Sequence, residues 1–311
     1  MASAYSPEQI DRYLEYISLP PKYRRNASPP LDLDFLSTLH SHQLSAIPYE
    51  NLVIHYNPEH KNSLDTQDLY EKLTHNGRGG YCMESSLFFN HVLHALGFKA
   101  YVTGARIRLR VGGVPEGEYI GWMHIVNIVT LQDGSKYMID VSFGGDGAIH
   151  PLPLISSRVT RNIGTQELRL VWDNIPGQTT APSDSQKLWV YQYRNSADKP
   201  WNSFYCFAEM EFLHQDFLAF NYYTSTHPGS FQTFQILVVK FLRKEETSEI
   251  YGKVMLVDGV VKRNTGGRTE VVQVCETEAE RVQALREWFG IELTSEEMEG
   301  IRGWRTELKG K

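Results

Sequence analysis

Cysteine is scarce in this chain. Only three of the 311 residues are cysteines, at positions 82, 206 and 275. So small and odd a number excludes the disulfide framework of a small secreted scaffold. It is typical of a reducing compartment, where thiols stay free. We therefore expect a cytoplasmic protein.

An excess of basic residues is also missing. The chain has 31 Lys and Arg residues against 37 Asp and Glu, a formal net charge of −6, and no basic cluster interleaved with aromatic residues. A nucleic-acid partner would require a positive stripe that neutralises phosphates. We therefore expect no nucleic-acid partner.

Long apolar runs, a secretion signal and metal-ligand spacings are absent as well. The longest apolar runs, such as 236–239 and 254–257, have the length of a strand, and the N-terminal segment lacks the apolar core of a secretory signal. No CxxC or HxxxH motif or carboxylate cluster has metal-site spacing, and no Gly-rich loop joins a strand to a helix as in nucleotide sites. We expect no membrane partner, no metal and no tightly bound cofactor.

The spacing of apolar residues changes near residue 100. Before it, helical spacing predicts helices from Pro7, over 31–44, over 66–75 and from just after Cys82 to Gly97. After it, β-branched and alternating stretches predict a meander sheet or barrel, then a short helix, three strands and two closing helices. The predicted strands are 100–108, 122–131, 135–141, 168–172, 188–193, 205–213, 234–243, 252–261 and 269–274, the later helices 214–221, 277–289 and 294–304, and the loops 111–118 and 175–186. This pattern predicts an α+β fold, not a doubly wound one.

One cysteine follows a glycine-rich turn. The segment Arg78-Gly79-Gly80-Tyr81-Cys82 leads directly into a helical pattern, so Cys82 is predicted to lie just ahead of a helix. Unpaired N–H groups and the helix dipole favour a thiolate there, the form that attacks a carbonyl carbon. A lone cysteine is more often a small buried hydrophobe, and both interpretations stay open at this point. Cys206 and Cys275 lie in apolar strand patterns and are predicted to be core residues.

A cysteine nucleophile needs a histidine to take its proton and a third group to orient that histidine. His124 and Asp140 stand out as polar residues in two neighbouring apolar strand patterns. A two-residue turn at 133–134 would put them on opposite faces of the hairpin. A three-residue turn at 132–134 pairs residue 124 with residue 142 and makes His124 and Asp140 diagonal neighbours on one face. A Cys82–His124–Asp140 triad therefore predicts the three-residue turn.

These residues resemble the arylamine N-acetyltransferase family. The matching segments are 47–52 (with Pro-Tyr-Glu-Asn-Leu for the family's Pro-Phe-Glu-Asn-Leu), 78–82, His124, 140–144 and 221–231. The resemblance covers nearly the whole chain. It implies a helical domain over 1–100, a β-barrel domain over 101–215 and an α/β lid over 216–311, around a cysteine-protease-like Cys-His-Asp core.

The resemblance also implies an activity. Cys82 would take an acetyl, propionyl or malonyl group from an acyl-coenzyme A co-substrate and pass it to an arylamine, arylhydrazine or related amine by a ping-pong mechanism. Tyr49 and Phe143 would wall the pocket for the small aromatic amine. The residues implied in coenzyme A binding are Gly121, Trp122, Thr226, Gly229 and Ser230.

Three features depart from the family pattern. Ser142 stands where the family usually has Gly, and Tyr49 where it usually has Phe. His124 and Asp140 are 16 positions apart (140 − 124), one more than expected, and the extra residue is the one assigned to the turn. We also expect Arg78 and Glu50 to form a buried pair beside the nucleophile.

Other functions stay open from the sequence. Cys, His and Asp in this order also serve a transglutaminase-like protein or an amidase-type cysteine hydrolase. A relative that only binds coenzyme A or an aromatic ligand is a further alternative. We expect a monomer or a weak homo-oligomer.

Overall fold

The computed structural model of the protein describes residues 3–310, so residues 1, 2 and 311 of the predicted first and last domains lie outside the described residues. The fold is mixed α+β, as predicted, with two large antiparallel sheets. The helices are α1 (Pro7–Tyr16), α2 (Leu33–Ala46), α3 (Leu52–Tyr56), α4 (Thr66–Leu73), α5 (Cys82–Leu96), α6 (His214–Thr226), α7 (Phe231–Phe234), α8 (Glu278–Ala284) and α9 (Ser295–Gly300). The strands are β1 (Tyr49–Glu50), β2 (Lys99–Ile107), β3 (Arg110–Val111), β4 (Val114–Pro115), β5 (Trp122–Thr130), β6 (Lys136–Ile139), β7 (Leu152–Pro153), β8 (Thr160–Arg161), β9 (Glu167–Asp173), β10 (Leu188–Arg194), β11 (Asn202–Phe207), β12 (Leu237–Arg243), β13 (Ile250–Val257), β14 (Val260–Asn264) and β15 (Glu270–Val274).

The N-terminal helices begin and end at capping residues. The Ser6 side chain accepts from the Gln9 N–H, the Gln9 side chain accepts from the Ser6 N–H, and Pro7 takes the first helical position of α1. Helix α5 ends at Gly97, whose φ of 94° favours glycine. The four predicted N-terminal helices are present. Cys82, expected just ahead of the last of them, is the first residue of α5, because Tyr81 takes the N-cap position.

The larger sheet has eight strands and is barrel-like. Its strand order is β7-β6-β5-β2-β11-β10-β9-β8. The edge strands β7 and β8 are consecutive in the chain, and their connection bonds back to the sheet, because the Ser157 N–H donates to the Leu170 carbonyl at 2.7 Å. The two edges therefore lie close together, which leaves little exposed edge for other chains.

The hairpin between β5 and β6 has the predicted three-residue turn. Thr130 pairs with Lys136 across it, and the Leu131 N–H donates to the Ser135 carbonyl at 2.9 Å. The turn consists of residues 132–134. Continued along the hairpin, this register sets residue 124 opposite residue 142. His124 and Asp140 are therefore diagonal neighbours on one face of the sheet, as predicted.

The second sheet has five strands in the order β1-β12-β13-β14-β15. The predicted single strand 252–261 is wrong, because a turn at Asp258-Gly259 divides it into β13 and β14, with Val257 paired to Val260. Asp-Gly is a two-residue hairpin signal. The outer strand β1 comes from the N-terminal part of the chain, where Tyr49 pairs with Val239.

Several predicted boundaries also differ. The strand expected over 205–213 occupies 202–207, because the following chain turns across β2 and the Phe212 N–H donates to the Val102 carbonyl at 2.9 Å. The strand expected from 234 begins at Leu237, after the short helix α7. The predicted loop 111–118 contains part of the β3–β4 hairpin. The first closing helix reaches Phe289 as predicted, with a π-helix over Leu285–Phe289 as its last part, and the second is shorter than predicted, since it ends at Gly300. No helix within residues 3–310 combines the length and apolarity needed to cross a bilayer.

Candidate active site

Cys82 is the first residue of α5. The preceding N–H, that of Tyr81, donates to the Glu84 carboxylate at 3.1 Å, which closes the helix start. Cys82 is 4% exposed, and its Sγ lies 3.8 Å from the carbonyl oxygen of Met123. The start of α5 therefore meets β5 one residue before His124.

His124 and Asp140 are hydrogen-bonded in the protein interior. His124 Nε2 is 2.8 Å from Asp140 Oδ2. Because an ionised carboxylate only accepts, Nε2 carries the hydrogen, and Nδ1 of the neutral ring keeps a lone pair. The rings of Phe143 and Tyr205 flank the imidazole at centroid distances of 5.0 and 5.3 Å and restrict its orientation.

A β-bulge precedes the histidine. Ala105 of β2 pairs with His124, whereas Arg106 pairs with Trp122, so Met123 is the additional residue. A bulge of this kind bends a strand and changes the direction of its side chains. Its position turns the Met123 carbonyl toward Cys82 Sγ.

The surroundings of Cys82 oppose an isolated thiolate. Burial raises the pKa of the Cys82 thiol, and the negative charge of Asp140 raises it further. Backbone N–H groups of Met83 and Cys82 at the helix start act in the opposite direction. A thiolate at this position therefore requires a positive partner, the role that a protonated imidazole fills.

Asp140 is held from two sides besides His124. Its second carboxylate oxygen accepts from the Ser142 N–H at 3.1 Å, and its carbonyl oxygen lies 3.1 Å from His40 Nε2 of α2. The Ser142 hydroxyl donates to the Cys82 carbonyl at 3.2 Å and lies 3.0 Å from Ser86 Oγ. Ser142 thus connects the loop after Asp140 to helix α5.

A buried charge network fixes the turn before Cys82. Arg78 Nη2 lies 3.0 Å from Glu50 Oε1, which confirms the predicted pair, and Arg78 also binds Glu297 of α9. Lys72 Nζ binds Glu84 at 2.7 Å. Burial alone would raise the pKa of Glu50, but the charges of Arg78 and Lys72 bring it below its usual value. Glu50 is therefore an ionised partner, not an isolated buried acid.

The residues expected to wall the acceptor pocket lie on two sides of this arrangement. Tyr49 of β1 is 8% exposed and forms a parallel bridge with Gly80, two residues before Cys82. Phe143 is half-buried beside His124. It belongs to a group of rings that also contains Tyr191, Phe204 and Tyr205.

Two of the residues expected to bind coenzyme A lie at the start of β5. Gly121 is exposed. The Trp122 ring contacts Phe212 at 5.4 Å, and Phe212 contacts Phe217 of α6 at 6.1 Å. These ring contacts join the start of β5 to helix α6.

The other three lie where α6 ends. Thr226 is the last residue of the helix and is exposed, as is Gly229 in the following turn. Ser230 is buried, and its hydroxyl donates to the Thr224 carbonyl at 2.6 Å. The Ser230 hydroxyl proton is thus already used within the turn.

The sequence did not predict several contacts beside Cys82. The Tyr81 hydroxyl binds the side chains of Asn221 and Thr224, which anchors α6 next to Cys82. Gln232 of α7 binds the Tyr49 hydroxyl. These partners are 140 and 183 residues apart along the chain, and no local pattern signals such pairs.

The other cysteines lie away from this site. Cys206 is fully buried with Ile175 and Val190, and Cys275 is buried in the core of the smaller sheet, as predicted. Within the part of the chain that the structure describes, no group of three His, Cys, Asp or Glu side chains could hold a metal ion.

Comparison with known proteins agrees with this arrangement. The N-acetyltransferase family model matches residues 32–298. N-malonyltransferase FDB2 of Fusarium pseudograminearum is 32% identical over 317 residues, covering 96% of this chain and 92% of the relative. The arylamine N-acetyltransferase structure from Mycobacterium abscessus has a TM-score of 0.77 at 22% identity and covers 97% of both chains. The Mycobacterium marinum arylamine N-acetyltransferase in complex with CoA has a TM-score of 0.74 at 24% identity, over 94% of this chain and 98% of that one.

The fold and family expectations are therefore confirmed. The family match covers most of the chain, and the fungal relative aligns with nearly all of it. The chain is an acyltransferase that belongs to the arylamine N-acetyltransferase family.

Proposed function

We propose that the chain transfers the acyl group of an acyl-coenzyme A to an arylamine, arylhydrazine or related amine through a thioester on Cys82. The observation that carries this proposal is the 2.8 Å bond between His124 Nε2 and Asp140 Oδ2, next to the carbonyl that Cys82 Sγ contacts. A nucleophile, a base and an orienting carboxylate are the parts that covalent acyl transfer requires.

In the first half-reaction, His124 Nδ1 takes the proton of Cys82, and the thiolate attacks the thioester carbonyl carbon. The new C–S bond forms as the bond to the coenzyme A sulfur breaks, and the imidazolium returns its proton to the leaving thiolate. The products are acyl-Cys82 and free coenzyme A. The proton transfer creates an ion pair without changing the net charge of the site, which offsets the burial that raises the pKa of Cys82.

In the second half-reaction, the amine nitrogen attacks the acyl carbon of acyl-Cys82. Nδ1 accepts the proton that the nitrogen loses, and the C–S bond breaks to release an amide. The imidazolium then reprotonates the Cys82 thiolate. Asp140 stabilises the imidazolium in both half-reactions, and the donor product leaves before the amine reacts, which predicts ping-pong kinetics.

Coenzyme A would bind between the start of β5 and the end of α6, along Gly121, Trp122, Thr226, Gly229 and Ser230. The Arg106 guanidinium supports this location, because it lies 4.4 Å from the Trp122 ring centroid. Among residues 3–310, Arg106 has no acidic partner, and its buried Nε has no hydrogen-bond acceptor. An unpaired guanidinium is suited to a phosphate oxygen.

The amine would enter between Tyr49 and Phe143. The acyl group would be acetyl, propionyl or malonyl. The relatives are named for transfer of an acetyl or a malonyl group. The complex of the Mycobacterium marinum relative with CoA supports coenzyme A as the carrier. The same proposal includes a division of the chain into three domains at residues 100 and 215. It also includes a cytoplasmic location and a monomer or weak homo-oligomer.

Intact-protein mass spectrometry with acetyl-, propionyl- and malonyl-coenzyme A tests the proposal. We expect an added acyl mass that maps to Cys82 and disappears when an arylamine is added. Cys82→Ser should abolish the adduct, whereas Cys275→Ser, at a site equally buried at 4%, should retain it. No adduct on Cys82 with any donor contradicts the mechanism. Release of free acid faster than acyl transfer to the amine would indicate a cysteine hydrolase instead.

A further inference from the structure

The Tyr49 hydroxyl is held by a chain of two amide side chains. Gln232 Nε2 donates to the Tyr49 oxygen at 2.7 Å, and Asn51 Nδ2 donates to Gln232 Oε1 at 3.0 Å. All three residues are at least nine-tenths buried. Which atom of each amide acts as the donor decides what the hydroxyl can do.

Backbone groups fix the direction of this chain. The Leu237 N–H donates to Asn51 Oδ1 at 2.9 Å, and Asn51 Nδ2 donates to the Gln235 carbonyl at 2.8 Å. A backbone N–H only donates and a carbonyl only accepts, so the Asn51 amide has one orientation. Asn51 Nδ2 also lies 3.2 Å from the Gln232 carbonyl oxygen. A Gln232 side chain turned the other way would set its Nε2 against Asn51 Nδ2 at 3.0 Å, two donors facing each other, so Oε1 faces Asn51 and Nε2 faces Tyr49.

The hydroxyl proton of Tyr49 is therefore available to a further partner. Its oxygen accepts from Gln232, and no residue in the range 3–310 accepts its hydrogen. Burial, with a smaller contribution from Cys82, raises the pKa of Tyr49, so the hydroxyl stays protonated at neutral pH. A buried donor without an acceptor is costly, which favours a ligand that supplies one.

This donor lies beside the nucleophile. Tyr49 bridges to Gly80, and Tyr49 and Cys82 belong to one continuous cluster of buried side chains. An acyl group with a second polar end would need a separate hydrogen-bond partner for that end. An acetyl group ends in a methyl, which offers no hydrogen-bond acceptor.

We infer that the Tyr49 hydroxyl donates a hydrogen bond to the terminal carboxylate of a dicarboxylic acyl group, such as malonyl, carried to Cys82, and so selects that class of donor. The inference rests on the proposed function and specifies its donor.

Tyr49→Phe tests the inference, because it removes the hydroxyl and keeps the ring. We expect kcat/KM for malonyl-coenzyme A to fall about 10-fold to 100-fold, the factor for one hydrogen bond to a charged group. The ratio of kcat/KM for malonyl-coenzyme A to kcat/KM for acetyl-coenzyme A should fall by a similar factor, since the acetyl group offers no acceptor for the hydroxyl to lose. Tyr251→Phe, on strand β13, should change neither value.

Gln232→Glu provides a second test that keeps Tyr49. A carboxylate at this position still accepts a hydrogen bond from Asn51, and it also accepts one from the Tyr49 hydroxyl. The Tyr49 O–H then points away from the acyl group. We expect the same selective loss with malonyl-coenzyme A. This variant decides the question if Tyr49→Phe does not fold.

The two donors separate the possible outcomes. An equal loss with both donors at an unchanged melting temperature, or no loss with malonyl-coenzyme A, overturns the role of Tyr49 and leaves the chemistry of Cys82 intact. Failure of the unmodified chain to form an adduct with any acyl-coenzyme A overturns the proposed function itself.

Discussion

The hydroxyl of Ser142 donates a hydrogen bond to the backbone carbonyl of Cys82 at 3.2 Å. The N–H of the same residue binds the Asp140 carboxylate at 3.1 Å. Ser142 therefore connects the Asp140 carboxylate to helix α5, which begins at Cys82. A glycine at this position would keep the backbone contact but would have no side chain to make the other.

Ser142→Ala should slow acyl transfer without abolishing it. The substitution leaves the N–H bond to Asp140 but removes the contacts with Cys82 and Ser86. One buried hydrogen bond contributes about 1 kcal/mol. If that contribution is lost in the transition state, kcat/KM for acyl-coenzyme A should fall about fivefold. The KM for the amine should change little, and the rate of Cys82 alkylation by iodoacetamide should change in parallel with kcat/KM.

Ser41→Ala is the matched control. It removes an equally buried hydroxyl, with 2% exposure at both positions, from helix α2. We expect wild-type rates of acyl transfer and of alkylation. Equal effects of the two substitutions would indicate general loosening of the core, not positioning of Cys82.

Asp140→Asn should disable the base while preserving its shape. An amide nitrogen facing His124 Nε2 donates to the ring, so the hydrogen moves to Nδ1, which can no longer accept the proton of Cys82. By analogy with other triads, we expect kcat/KM to fall roughly three to four orders of magnitude. Steady-state kinetics measure the fall in kcat/KM, and NMR of the imidazole shows which ring nitrogen carries the hydrogen. A fall in kcat/KM of less than about tenfold is incompatible with the triad.

The His124–Asp140 pair could be predicted because strand geometry is local. Side chains alternate along a strand, so the length of one turn decides which residues of a hairpin share a face. The same local logic failed at 252–261, where apolar residues on both sides of Asp258-Gly259 continue the alternation and hide the hairpin. A turn dipeptide inside an apolar run is a stronger signal of a hairpin than the run is of a single strand.

The parts of the site that could not be predicted depend on contacts distant in sequence. The additional residue at Met123 becomes visible only when β2 pairs with β5. The bond between Tyr49 and Gln232 joins residues 183 positions apart and requires β1 to lie beside β12. Tertiary packing creates both features, and neither leaves a period or spacing in the sequence.

Arg106→Gln should weaken binding of the acyl donor. The substitution keeps a polar side chain beside Trp122 and removes the cation proposed to meet a phosphate. We expect the KM for acyl-coenzyme A to rise about tenfold with little change in kcat, and the salt dependence of KM to decrease. Arg108→Gln is the control, because Arg108 is already bonded to the Gly117 and Ser203 carbonyls. An equal rise in KM in both variants contradicts a specific role for Arg106.

His40 should make the stability of the fold depend on pH. Its ring is buried, and burial lowers its pKa to about 4, with a further contribution from the charge of His150. Nδ1 has no hydrogen-bond partner within the described residues, so a second ring proton would remain unpaired in the interior. An unfolded histidine titrates near 6.5, so the unfolded chain binds a proton between pH 6.5 and 4 that the folded chain does not.

The free energy of unfolding should therefore be highest above pH 6.5 and fall as the pH decreases toward 4, with His40 accounting for a loss of about 2 kcal/mol at pH 5. His40→Gln can still donate to the Asp140 carbonyl but does not titrate, so denaturant unfolding at pH 7 and pH 5 should show a smaller difference than in the wild type. The difference should not vanish, because burial lowers the pKa of His55 and His91 to about 4 as well. His75→Gln, at an exposed position, should retain the full wild-type difference. If His40→Gln also retains it, the buried imidazole of His40 is not a source of the acid sensitivity.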